Sequence, residues 1–255
     1  MNRREMLRAT GSAVATATVL GLPAVAQELS PRDKDAGEPA GRKVLVIGAH
    51  PDDPETGCGG TMLLLRQAGY EVVCVYLTRG EAGIAGKSHD EAAAIRVREC
   101  EAACRITGAR HIFMNQIDGD TEVNRRRYAE MRELIDRENP VAVLTHWPID
   151  AHRDHAVCAM LVLDAWRRLG RRFRLFYFEV MSGEQTQMFA PTHIVDITAV
   201  SDLKRRACLC HESQNLEPIF DGWHTVMELF RGIQGRCQRG EAFMQHDGAL
   251  PSLPI

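Results

Sequence analysis

A chain of 255 residues with 45% hydrophobic and 25% charged content holds enough material for one large α/β domain with a full core. Its formal net charge of −3 carries no electrostatic footprint for nucleic acid. Eight cysteines over this length exclude a dense disulfide scaffold.

The first residues differ in kind from the rest. Arg3 and Arg4 precede a mildly apolar stretch that closes on Ala24-Val25-Ala26, the n-region, h-region and A-x-A cleavage site of an export signal over residues 1–26. The paired arginines point to the twin-arginine route and to a periplasmic or extracellular product; the alternative is an uncleaved N-terminal extension. Interspersed Thr, Ser and Gly leave the h-region too short and weak to anchor stably in a membrane. Residues 27–42, rich in Pro, Asp, Glu and Gly, read as a linker. A single domain follows over 43–247, with an irregular tail at 248–255.

The domain opens on KVLVIGAHPDDPETGCGG, Lys43 to Gly60. Lys43–Ala49 is an apolar run with the composition of a strand covered on both faces. His50, Asp52 and Asp53 follow at once, and Gly57, Gly59 and Gly60 read as a tight turn before a helical pattern at Thr61–Ala68. A dinucleotide loop would read G-x-G-x-x-G here; acids in its place would repel a phosphate. The plain alternative is that His50 and the two aspartates only form the turn and cap the helix.

Strand and helix patterns then alternate. Strands are predicted at Glu71–Thr78, His111–Asn115, Val141–Thr145, Arg174–Val180 and His193–Ile197. Helices are predicted at His89–Thr107, Thr121–Glu138, Asp154–Leu169, Ala199–Glu212 and Trp223–Gln238. In the first of these helices Ala92, Ala93, Ile95, Ala102, Ala103 and Ile106 are the expected inner positions. The alternation implies a Rossmann-like open, mostly parallel sheet with helices on both faces, whose strand ends share one rim. Cys74 falls in a strand, and Cys100 and Cys104 fall four apart on a helix. They read as small buried apolar residues. The chain has no C-x-x-C, which argues against a thiolate zinc site.

A second polar cluster, HWPIDAHRDH, runs from His146 to His155. His152 and His155 are three apart at the start of a helix and can share a face; Asp154 lies between them and Asp150 just before. Three protein ligands plus water is the usual pattern of a catalytic zinc site. His50, one elbow aspartate and one histidine of the pair would supply it. The other aspartate is then placed to deprotonate water, and the other histidine to steady an oxyanion or protonate a leaving group. The alternative is a pair of surface histidines in a polar loop.

Ala49-His50-Pro51-Asp52-Asp53 and His152-Arg153-Asp154-His155 resemble the A-H-P-D-D and H-x-D-H motifs of the PIG-L / LmbE-like de-N-acetylases. Similar stretches are Gly57–Thr61, Leu77–Gly83, His211–Gln214 and Arg239–Phe243, so the resemblance covers roughly Lys43 to Phe243. It implies a metal-dependent hydrolase that removes an N-acetyl group from a glucosamine-type sugar or glycoconjugate. His50, Asp53 and His155 would ligate zinc or another divalent metal. Asp52 would be the general base, His152 would face the oxyanion or assist the leaving amine, and Asp154 would orient a neighbouring histidine. Arg79 would contact substrate. The implied partner is an N-acetylated small molecule or glycan, with neither nucleic acid nor a stable membrane span after removal of the signal. One departure is Pro54, which stands between the paired aspartates and Glu55 where many members have Glu directly, so Glu55 receives no role. A hydrolase of another bond, such as a phosphoester, and a non-catalytic sugar-binding module are the alternatives.

Overall fold

The computed structural model describes residues 42–181 and 183–246. The expected export signal, the linker up to residue 41 and the tail from residue 248 lie outside the described residues. Five parallel strands, β1 (Lys43–Gly48), β2 (Glu71–Tyr76), β3 (Arg110–Phe113), β4 (Ala142–His146) and β5 (Arg174–Phe178), are joined by β6 (His193–Asp196) and β7 (Gly240–Gln245). The order across the sheet is β3-β2-β1-β4-β5-β7-β6, with β7 antiparallel to both its neighbours. The expected open, mostly parallel sheet is therefore present. The added strand β7 was not anticipated: GEAFMQ is short, and its Gly and Glu are poor strand formers.

Alternation along the strands divides the core into two layers. Leu45, Ile47, Val73, Val75, Val143, Leu175 and Tyr177 face α3 (Arg125–Glu138) and α4 (Arg153–Arg168). Val44, Val46, Val72, Cys74, Tyr76 and Phe178 face α1 (Asp53–Gln67) and α2 (His89–Thr107). Helix α5 (Ser201–Cys208) packs beside α1 and α2, and a short turn of helix, α6 (Glu217–Ile219), leads towards α7 (Thr225–Gly235). No described helix is long and apolar enough to cross a membrane.

Helix α1 corrects the sequence reading. It starts at Asp53 rather than Thr61, so the three glycines lie inside the helix and do not form a turn. Their role is close approach: a Cβ on Gly57 would sit 2.5 Å from the Phe178 ring, and one on Gly60 would sit 2.5 Å from Ile197 Cγ2. Pro54 falls in the first turn, where its missing N–H costs no helical hydrogen bond.

The inner face of α2 is also more polar than periodicity implied. Ala92, Ala93 and Ala103 are buried as expected, but Arg96, Cys100 and Cys104 share that face, while Ile95, Ala102 and Ile106 are only half-buried.

Chain direction reverses between β1 and β4: β1 is followed by its neighbour β2 on one side, whereas β4 is followed by β5 on the other. A crevice opens at such a switch point, outside the strands' carboxyl ends.

Candidate active site

Both polar clusters meet in that crevice. Asp53, the first residue of α1, is its hub. One carboxylate oxygen, Oδ2, accepts the backbone N–H groups of Ala49 at 3.0 Å and His50 at 2.7 Å, which fixes the carboxylate against the end of β1. Three imidazoles surround it: His50 Nδ1 at 3.4 Å and His146 Nε2 at 3.1 Å from Oδ2, and His155 Nε2 at 3.3 Å from Oδ1. Asp53 therefore touches both His50, three residues before it, and His155, about a hundred residues on. His152 joins them, its ring 4.7 Å from those of both His50 and His155.

His50 and His155 are each oriented by a further carboxylate. His50 Nε2 lies 3.2 Å from both Asp118 and Asp154. Asp154 is wholly buried and also accepts from Gly119 N–H at 2.8 Å and Thr121 Oγ1 at 2.7 Å. His155 Nδ1 is 3.1 Å from Asp150 Oδ1. His152 stands at the N-terminus of α4 and accepts the Asp154 N–H through Nδ1 at 3.3 Å, which leaves Nε2 as its donor.

These contacts set the charges. Burial pulls His50 down, but hydrogen bonds to Asp118, Asp154 and Asp53 outweigh it and hold the ring well above its ordinary value. Burial also opposes protonation of His155, yet the Asp53 charge and the Asp150 hydrogen bond lift it to about 9. His146, buried beside the His155 charge, is pushed down to about 4. Burial would raise Asp53, but the charges of His155 and His146 hold it well below the usual carboxylate range.

Asp52 behaves differently from its neighbour. It occupies the N-cap position of α1, yet its side chain makes no capping hydrogen bond, so it is not there as a helix cap. Its φ of 119° is positive, a conformation costing about 1–3 kcal/mol outside glycine and found where the surroundings enforce it. Arg96 does the enforcing. Its Nη2 donates to Asp52 Oδ2 at 3.0 Å and also to the Pro51 carbonyl. Burial raises the Asp52 pKa, and Arg96 only partly offsets it.

The loop after β2 wraps this guanidinium. A Cβ on Gly80 would come within 2.7 Å of the Arg96 side chain, and one on Gly83 within 2.5 Å of it, so Leu77–Gly83 serves first as a collar for Arg96. Arg79, on the same loop, is 39% exposed in its side chain, with Nη2 4.0 Å from Glu81. Two other familiar stretches are supports. His211 lies 3.7 Å from Glu55, whose other oxygen accepts from Tyr76 Oη at 2.7 Å, and Ser213 bonds Glu99 through N–H and Oγ. Glu241 of β7 accepts from Gly60 and Thr61 N–H at 2.8 Å each. Glu55, left without a role in the sequence, is thus turned away from the crevice.

The donor set suits a divalent cation. His50, His152 and His155 offer atoms within 4.8 Å of one another, and so do Asp53, His146 and His155. Imidazole and carboxylate donors of this kind match zinc and its neighbours. The sequence reading missed His146, Asp118 and Arg96. His146 stood at the head of the second cluster; Asp118 and Arg96 gave no local signal.

Residues 45–166 match the PIG-L family, described as GlcNAc-PI de-N-acetylase. The chain is 32% identical over 210 residues to the diacetylchitobiose deacetylase of Thermococcus kodakarensis, covering 76% of this chain and 78% of that protein. It is 26% identical to the 4-oxalmesaconate hydratase of Pseudomonas putida, covering 78% and 83%. Among solved structures, the N,N'-diacetylchitobiose deacetylase from Pyrococcus horikoshii, complexed with its inhibitor MPG, superposes with a TM-score of 0.72 at 26% identity, covering 84% of this chain and 88% of that one.

Proposed function

The chain belongs to the PIG-L family of GlcNAc-PI de-N-acetylases, and on that premise we propose that it is a metal-dependent amide hydrolase removing the N-acetyl group of a glucosamine-type sugar or glycoconjugate. The observation that carries this reading is the buried Asp53 carboxylate held between His50 and His155, with the uncapped Asp52 beside it.

His50, Asp53 and His155, whose imidazoles both touch the Asp53 carboxylate, would hold the cation, zinc or another divalent ion, and His146 is a further donor grouped with Asp53 and His155. When bound, such an ion polarises the acyl carbonyl and makes water acidic enough to lose a proton near neutral pH. The chain's own residues do the rest. Asp52 takes the proton from the attacking water; Arg96 aims its carboxylate and keeps it from turning to cap α1. His152 offers its Nε2–H to the developing oxyanion, or a proton to the departing amine. Asp154 fixes the tautomer of His50. Arg79, at the rim, contacts the sugar. Loss of acetate leaves a free amine.

Residues 1–26 fit an export signal, so we place the substrate among glycans of the cell envelope or beyond it, met by a domain spanning 43–247. A hydratase reaction, favoured by the similarity to the Pseudomonas putida protein, is the second reading. Acetate release from a panel of N-acetylated sugars and chitooligosaccharides by the metal-loaded chain separates the two. We expect release by the wild type and none by Asp52→Ala that still holds its metal; near-wild-type release by Asp52→Ala removes the proposed base.

A further inference from the structure

At the opposite edge of the sheet lies a cluster that the proposed reaction does not use. Cys74 on β2 and His111 on β3 are lateral partners in register, so they project from the same sheet face. Helix α2 covers that face and sets Cys100 and Cys104 against them. Residues four apart on a helix share a side. Cys104 is the centre of the group, its sulfur also 4.0 Å from the Tyr76 hydroxyl. The donor atoms of Cys100, Cys104 and His111 all lie within 4.8 Å of one another.

We propose that Cys100, Cys104 and His111 form a thiolate metal site for a zinc-type cation, separate from the His/Asp crevice. A tetrahedral zinc ion with bonds of about 2.3 Å spaces its ligands about 3.8 Å apart, so the side chains close by about an ångström. Charge favours the same set. Two thiolates cancel a divalent charge, and the imidazole adds none, so the buried ion would be neutral overall.

Packing alone explains Cys74 and Cys100, both fully buried. It does not explain a half-buried imidazole drawn onto two sulfurs. An entry path exists as well: an open cleft of about 500 Å³ is lined by Cys104, Arg105, Gly108 and His111. The cleft sits at the C-terminal end of α2 and the start of β3, away from the strand ends that carry His50 and His155. The missing C-x-x-C is no obstacle, because the fold supplies spacing that the linear sequence does not.

The test is Co²⁺ titration of reduced, metal-stripped full chain, read by thiolate-to-cobalt charge-transfer absorption in the near ultraviolet. The His/Asp crevice has no thiolate and gives no such band. The band is expected in the wild type and in Asp53→Ala, is erased by Zn²⁺, is lost in Cys100→Ser/Cys104→Ser, and needs more Co²⁺ in His111→Ala. Unchanged circular dichroism and acetate release in the double serine variant show that it still folds. Should it not fold, Zn²⁺ protection of Cys104 from alkylation in Asp53→Ala reads the same site. A wild type without the band, a band surviving both serines, an unprotected Cys104, or a disulfide among Cys74, Cys100 and Cys104 in the isolated protein overturns the proposal. Failure of acetate release alone bears only on the crevice.

Discussion

Arg96→Met deletes the guanidinium that holds Asp52 while keeping most of the side-chain volume. Arg96 is 3% exposed and Asp52 is 6% exposed, so water screens their contact little. At 3.0 Å and an effective dielectric of about 20, Coulomb's law gives about 5.5 kcal/mol. Removing one partner of a buried pair costs about 3–5 kcal/mol, because the other charge is stranded. At about 2–4 °C per kcal/mol for a domain of this size, the melting temperature should fall by about 6–20 °C. Turnover should drop by about 10²–10⁴-fold, the range a positioned general base contributes, with KM little changed. The checks are a melt and acetate-release kinetics on metal-loaded protein, with Asp52→Asn and the double variant completing a cycle. If Arg96→Met destabilises the Asp52→Asn background as much as the wild type, the two side chains are not coupled. Near-normal kcat in a folded Arg96→Met protein would remove Arg96 as the residue that positions Asp52.

Asp53→Ala should abolish stable metal binding in the His/Asp crevice, since it strips the carboxylate that three imidazoles share; Asp154→Ala should weaken binding there by about 10–100-fold through His50. Metal analysis after dialysis on the Cys100→Ser/Cys104→Ser background checks both, and full occupancy in Asp53→Ala there contradicts the ligand set. Gly60→Ala should destabilise by about 1–3 kcal/mol through overpacking against Ile197, read by denaturant unfolding; a neutral or stabilising effect would show that α1 can shift. The Lys204 charge depresses the pKa of Glu228 against its burial. A carboxylate lowered in the fold contributes stability above its unfolded value, near 4.5, and loses it as the pH falls towards the folded one. Glu228→Gln should therefore be less stable than wild type at neutral pH and converge with it in acid; a gap independent of pH would rule out the linkage.

Much of the fold was legible because β1, β2 and β4 are apolar runs and α3 and α4 carry regular stripes. The strand-end location of His50 and the helical start at His152 followed from the same reading. Helix α1 was misjudged for a physical reason. Gly57, Gly59 and Gly60 are poor helix formers, and only packing against Phe178, Lys204 and Ile197 makes them the residues that fit. His146, Asp118 and Arg96 stayed hidden because their roles exist only once β3, β4 and α2 converge on the AHPDD segment. Arg96 in particular sits in an ordinary charged helical pattern, and nothing local marks it as buried. The same limit applied to Cys100 and Cys104, whose partners Cys74 and His111 come from two other elements.

The sheet leaves one structural debt until late in synthesis. Among the described residues β6 pairs only with β7, so until Gly240–Gln245 emerge, β6 lacks that neighbour and β5 shows a bare edge. The same strand delivers Glu241 to the buried ammonium of Lys204 at 2.9 Å. A nascent or truncated chain ending before Gly240 would carry both an open hydrogen-bonding edge and an under-neutralised charge in its interior. A chain cut before this strand should therefore be a better target for chaperones and proteases than one that includes it.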